Sequence, residues 1–311
     1  MSYLCAPQYV LGEIAEDHTA LPGFAERVRR LRMQPSAALW GWGTVHRTER
    51  DLADLAVETG RATLRAARLD PLSVDALVLC STRFPGGPET HGRLVGTILT
   101  GLGLDRAAFT GVTLNRCTNL LAAIDMADAL VSSGRYGRVL VITTDRAGVE
   151  TDRLETFALF SDGAASCVVT GDPGIADSYE IMSGASAQDA RNLDWSGQIS
   201  ADLAREVNDA ILKPLDLRLD QIHGVLHTNL FRPLVTMKER LAGFRAEQLY
   251  TANIPRVGHC FAADPLINLV DRATAGELLP DHHYLLVASV PGERRGVLVH
   301  ARTTIRPEIG A

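Results

Sequence analysis

Cys117 stands in the run Asn115-Arg116-Cys117-Thr118-Asn119, between the β-forming pair Val112-Thr113 and an apolar periodicity that begins at Leu120. A thiol at such a strand-to-helix turn meets unpaired backbone N–H groups and the positive end of the helix dipole, and both favour the thiolate. The same N–H groups can stabilise the oxyanion of a thioester under attack. The residue is then either a nucleophile that carries an acyl group or a buried cysteine used as a small apolar side chain. Its polar neighbours on both sides favour the nucleophile.

The elements around it follow from periodicity. Leu120, Ile124, Ala127, Leu130 and Val131 recur at the three-and-four spacing of a helix with one buried face, and Gly134 ends it. Arg138 to Thr144 is a short apolar run suited to a buried parallel strand. Upstream, Tyr3 to Leu11 and Ala76 to Leu79 read as strands. Phe24 to Met33, Asp51 to Ala67 and His91 to Gly101 read as helices. Ser161-Asp162-Gly163 turns into a strand from Ala164 to Thr170, with Asp162 in a structural role. Gly171-Asp172-Pro173-Gly174 marks a break between two halves, 1–172 and 173–311. In the second half, Ser178 to Met182, Gly224 to Thr228, Gln248 to Ile254, Tyr284 to Ser289 and Gly296 to Ala301 read as strands, and Ala201 to Leu212 as a helix. Two successive runs of alternating strands and helices imply stacked sheets with helices between and outside them.

Composition narrows the function. A chain of 311 residues that is 46% apolar can bury a large core, and a net charge of −6 offers no general basic surface for nucleic acid. No apolar run reaches membrane-spanning length, and Met1-Ser2-Tyr3-Leu4 does not start like a signal peptide, so a cytoplasmic location is expected. The five cysteines are scattered and form no C-x-x-C pair, which argues against a disulfide framework and against a zinc site.

The cysteine segment, followed by Phe160-Ser161-Asp162-Gly163-Ala164-Ala165, resembles the nucleophile region and FGDGA-type motif of β-ketoacyl-acyl-carrier-protein synthase III and its relatives in the thiolase superfamily. Thr44 to Arg50 and Ala76 to Thr82 occur in the matching order. The resemblance implies a duplicated α/β fold, layered α/β/α/β/α, and in general a homodimer. It implies an acyl-CoA or acyl-carrier protein as substrate, with no bound cofactor and no metal. In that family a histidine and an asparagine of the second half donate hydrogen bonds to a thioester carbonyl during decarboxylation. A tryptophan and an arginine hold the adenine end of coenzyme A; Trp42 and Arg47 lie in that region, with Trp40 close by.

This chain departs from the pattern around the site. His-x-x-Asn becomes His227-Thr228-Asn229, and a gapless match puts Leu226 at the histidine position. Gly-Asn becomes Gly258-His259, and an imidazole, unlike an amide, can take up and return a proton. Asp264 either orients that imidazole, completing a Cys-His-Asp arrangement, or caps the helix that Pro265 begins. The C-terminal glycine loop is reduced to Pro291-Gly292, with Gly292 left as an oxyanion donor and Glu293, Arg294 and Arg295 altering the lining or rim. The resemblance and its departures imply an acyltransferase in specialised metabolism: Cys117 is acylated, then passes its acyl group to an alcohol, amine or carbon acceptor. His259 or His227 acts as base. Two alternatives stand beside it, a decarboxylating β-ketoacyl synthase and a non-catalytic partner subunit.

Overall fold

The structure is a computed structural model that describes residues 1–194 and 200–302. In chain order the strands are β1 (Ser2–Leu11), β2 (Ile14–Asp17), β3 (Thr44–Arg47), β4 (Ala76–Cys80), β5 (Ala108–Val112) and β6 (Arg138–Asp145). They continue with β7 (Gly163–Thr170), β8 (Ser178–Gln188), β9 (Ile222–His227), β10 (His282–Val290) and β11 (Glu293–Ala301). The helices are α1 (Phe24–Arg30), α2 (Ala37–Trp40), α3 (Leu52–Ala67), α4 (Pro88–Leu102) and α5 (Asn119–Ser132). The second half adds α6 (Ala201–Leu212), α7 (Arg232–Leu241), α8 (Asn253–Val257) and α9 (Asp264–Thr274).

Nine strands hydrogen-bond in the order β5-β4-β6-β7-β1-β8-β11-β10-β9, while β2 and β3 form a separate ribbon. Side chains of a strand alternate between its two faces, and this alternation builds the layers. Val78 and Cys80 of β4 face inward with Leu226 of β9 and Leu286 of β10, around Leu120 and Ile124 of α5 and Leu266 and Leu269 of α9. Leu77 and Leu79 face the other way, onto α3 and α4. Val225, Leu285 and Val287 face Val207 and Ile211 of α6. The order is therefore helix, sheet, helix, sheet, helix, an α/β fold with α5 and α9 in the middle.

Two expectations change in detail. The chain does turn after Thr170, but the sheet does not stop there: β1 pairs with β7 along one edge and with β8 along the other, so one hydrogen-bonded sheet serves both halves. The run from Gln248 to Ile254 is not a strand. A 3₁₀ turn ends at Gln248, whose amide donates to the carbonyls of Leu219 at 2.7 Å and Ile222 at 2.6 Å, and α8 starts at Asn253. Pro255 suits the first turn of that helix and could not donate to a ladder.

All five cysteines are free and buried. Among the described residues no helix is long and apolar enough to cross a membrane, and no group of three histidine, cysteine or acidic side chains could hold a metal ion.

Candidate active site

Cys117 lies in the 3₁₀ turn Arg116–Thr118 that leads directly into α5. Its side chain is buried, and the turn packs on Phe261–Ala263, the turn before α9. Asn119, at the helix start, donates its amide to the Ser81 carbonyl at 3.0 Å, which ties the nucleophile turn to the end of β4.

The opposing imidazole is fixed by a glycine. Gly258 has φ 72° and ψ −161°, and a Cβ there would lie 2.8 Å from the Leu159 carbonyl oxygen and 2.9 Å from Ser161 Oγ. That close approach lets the next residue pair with the Phe160 segment: His259 N–H donates to Leu159 O at 2.8 Å, and Ser161 N–H donates to His259 O at 3.0 Å. The phenylalanine-serine-aspartate motif thus forms the seat of His259, and the Phe160 ring lies 4.9 Å from the imidazole. Asp162 is occupied structurally, accepting two bonds from Arg153 at 2.8 Å each and backbone N–H groups from Thr48 and Ala147.

His259 donates Nδ1–H to Asp264 Oδ2 at 2.5 Å, with both side chains shut off from solvent. The other ring nitrogen, Nε2, is left for Cys117, which lies within side-chain hydrogen-bonding reach of the imidazole. Burial by itself would pull the imidazole pKa down. The charges of Asp264 and Cys117 and the hydrogen bonds to both outweigh it and push the value up to about 10. Asp264 does not cap α9, since Ala263 is the N-cap and no side chain caps it. Its oxygens go instead to His259, to Asn229 N–H at 2.7 Å and to Cys260 N–H at 2.8 Å.

Asn229 is drawn into the same assembly, though its amide does not face a substrate. Nδ2 donates to Gly258 O at 3.0 Å and Oδ1 accepts from Asn268 at 3.1 Å, so it fastens the His259 turn. His227 closes β9 on the face opposite to Leu226. It pairs across the sheet with Val287 and shares the outward face with Val225, while the neighbouring Leu226 faces the inner layer. Its Nδ1–H donates to Thr228 O at 2.8 Å, its Nε2 has no hydrogen-bond partner among the described residues, and burial pushes its pKa down to about 4.

The outward face beside His227 holds a buried charge cluster. Arg294 donates to both oxygens of Glu239, at 2.7 and 3.0 Å, and Lys238 Nζ lies 3.0 Å from Glu239 and 2.9 Å from Ser289 Oγ. Burial pulls the Lys238 pKa down to about 8. Glu293 and Arg294, expected at a lining or rim, are thus buried. Glu293 reaches back to the cysteine turn, where Asn115 and Thr118 each donate to it at 3.0 Å. The cysteine turn at 115–118 and Glu293 are two sides of one contact, a pairing that no spacing in the sequence reveals.

Gly292 takes φ 73° in the turn between β10 and β11 and packs on the backbone of Asn192 and Leu193. The turn is fastened to the nucleophile segment by Arg116, which donates to Pro291 O at 2.8 Å. Trp42 and Arg47 sit elsewhere and are engaged. Trp42 packs among Phe24, Trp40 and Phe231 in an apolar cluster. The Arg47 guanidinium bonds Glu16 at 3.0 Å and Glu150 at 3.3 Å, which leaves its fork facing carboxylates, not a phosphate.

Comparison with known proteins adds to this geometry. A family model described as 3-oxoacyl-[acyl-carrier-protein (ACP)] synthase III matches residues 113–189, the stretch with Cys117 and the aspartate-glycine turn. β-Ketoacyl-[acyl-carrier-protein] synthase III of Rickettsia akari is 26% identical over 192 residues, 57% of each chain, and that of Rhodospirillum rubrum 34% over 131 residues, 41% of this chain and 39% of the relative. The aligned part thus spans about half the length of these relatives. The 3-oxoacyl-[acyl-carrier-protein] synthase III of Aquifex aeolicus has a similar fold (TM-score 0.79, 16% identity, covering 96% of this chain and 100% of that one). So does the acyltransferase ChlB3 (TM-score 0.81, 18% identity, covering 97% and 98%). Over the nucleophile segment the chain is thus similar in sequence to 3-oxoacyl-[acyl-carrier-protein] synthase III, and over nearly its whole length it is similar in fold to that enzyme and to ChlB3.

Proposed function

We propose that this protein is an acyltransferase that carries its acyl group on Cys117. The thiolate of Cys117 attacks the carbonyl of an acyl-CoA or acyl-carrier-protein thioester. The His259 imidazolium gives its Nε2 proton to the departing donor thiolate, leaving an acyl-cysteine and a neutral imidazole. That imidazole then takes a proton from an alcohol or amine as it attacks the acyl-cysteine, and the Cys117 thiolate and the imidazolium are restored. A carbon acceptor would lose its proton to the same base. Asp264 stays ionised and holds Nδ1–H, which fixes the ring and stabilises its charged form. The N–H groups at the start of α5 and the Gly292 turn are our candidates for the oxyanion site. No cofactor is assigned; the thioester donor is a substrate.

One observation carries the reading: the His259 imidazole is hydrogen-bonded to the Asp264 carboxylate and electrostatically coupled to Cys117, with all three side chains buried. Decarboxylative condensation needs N–H donors aimed at a second thioester carbonyl. In the neutral His227 ring the proton sits on Nδ1, given to Thr228 O, so Nε2 has none to donate. The kinship in fold with ChlB3, an acyltransferase, is in keeping with transfer, and we assign the protein to specialised metabolism. A homodimer is part of the same reading. Among the described residues the strand β5 has a sheet partner on one side only, and Phe109 on it is 57% exposed.

Incubation with a panel of acyl-CoAs and acyl-carrier proteins, followed by intact-protein mass spectrometry, tests the proposal. An adduct lost in Cys117→Ala is expected. Absence of any adduct overturns it in favour of a partner subunit, and carbon dioxide release from a malonyl donor in favour of condensation.

A further inference from the structure

A carboxylate from the other half of the chain grips the nucleophile turn. Glu293 opens β11, is 5% exposed, and its Oε1 accepts from Asn115 Nδ2 at 3.0 Å, Thr118 Oγ1 at 3.0 Å and Arg295 Nε at 2.8 Å. Asn115 lies two residues before Cys117 and Thr118 directly after it, so one oxygen holds the turn on both sides of the sulfur. The single Thr118 hydroxyl proton is shared with the Asn115 carbonyl at 2.8 Å, which closes the turn on itself. Two residues before Glu293, the Pro291 carbonyl accepts from Arg116 at 2.8 Å.

The turn needs such fastening. Arg116 has φ 53°, a left-handed conformation that costs a residue with a Cβ about 1–3 kcal/mol and persists only when its surroundings over-determine it. Burying a carboxylate is also costly unless it is paired and hydrogen-bonded, and Arg295, Asn115 and Thr118 supply both. The hairpin itself does not require these bonds, because β10 and β11 are joined by a backbone ladder that already runs from Ala301 to Glu293. The side-chain bonds of Glu293 act on the segment with Cys117.

We propose that Glu293 is a positioning residue: by holding Asn115 and Thr118 it directs the Cys117 sulfur at His259 Nε2. This rests on the acyl-transfer reading only for its kinetic readout. In the full-length protein, the rate of Cys117 alkylation by iodoacetamide, followed by peptide mass spectrometry, needs no acyl donor. Glu293→Ala should slow alkylation roughly tenfold, since a misdirected reacting group loses about that much or more. With an acyl donor, kcat should fall by the same factor while KM changes less than about twofold, because the contact is made by the turn and not by substrate. Glu293→Gln should restore most of the rate, as its amide oxygen still accepts from Asn115 and Thr118. Asn115→Ala removes one arm of the grip and carries the test should Glu293→Ala not fold, with an expected loss of a few-fold.

Folded Glu293→Ala or Asn115→Ala with unchanged alkylation would overturn the proposal, as would a Glu293→Gln variant no faster than Glu293→Ala. Normal alkylation behaviour with no acyl adduct in the unmodified protein would instead overturn the acyl-transfer reading and leave the positioning role standing.

Discussion

His259 Nδ1 and Asp264 Oδ2 lie 2.5 Å apart, with 1% and 0% of their side chains exposed. A carboxylate so close and so dry acts on the imidazole far more strongly than it would in water, and it is the main reason the ring keeps its proton against burial.

Removing that charge should show in the rate. Asp264→Asn keeps the shape of the side chain but turns one oxygen into an N–H group. It loses the field on His259 and sets a donor against one of the N–H groups that Asp264 now accepts. Acyl transfer should drop by about 10²- to 10⁴-fold, and stability by about 1–3 kcal/mol. Single-turnover transfer from acyl-loaded enzyme and urea unfolding measure the two effects.

The two histidines should separate cleanly. His259→Ala removes the acid–base and should cost roughly 10²- to 10⁴-fold in transfer. His227→Ala should leave transfer within about threefold while costing about 1–3 kcal/mol of stability for the buried space it vacates. A His227→Ala variant as slow as His259→Ala, with both folded, would return His227 to the site.

The proton on His259 links stability to pH. Its folded pKa, about 10, lies above the ordinary imidazole value of 6.5. The native state therefore binds more protons than the unfolded state between these values, and the stabilisation is full below about pH 6.5 and lost as pH rises through about 10. Lys238 works the other way: its folded pKa of about 8 lies below 10.5, so its contribution grows with pH across that window. The difference in unfolding free energy between the unmodified protein and His259→Ala cancels the Lys238 part, and it should shrink as pH rises from 6.5 to 10. A difference independent of pH would contradict a charged His259.

Gly258 should not tolerate a side chain. Gly258→Ala brings a methyl group to 2.8 Å from Leu159 O at φ 72°, which should cost about 1–3 kcal/mol and displace His259 from the Leu159–Ser161 segment. Thermal unfolding together with Cys117 acylation checks this. A variant of lower stability but full activity would show that the seat of His259 is more tolerant than its packing indicates.

Much of the fold was legible in the chain alone. The layers follow from strand alternation and helical periodicity, local patterns that each segment carries within itself, and Cys117 is marked by its place between β5 and α5. The boundary of Ala201–Leu212 agrees to the residue, whereas 248–254 misled because apolar and β-branched residues there serve a turn and a short helix instead of a ladder. Which imidazole meets the sulfur was beyond the sequence. In β9 a shift of one residue exchanges the faces of the sheet, so Leu226 looks inward and His227 outward to Glu239 and Lys238. The partners of Cys117 come from distant parts of the chain, His259 beyond β9 and Glu293 at the start of β11, and only the packing of the two halves around α5 and α9 brings them together. Side-chain identity set what chemistry was available; the tertiary contacts, which depend on register and on chain reversals far apart in sequence, chose the residues positioned to perform it.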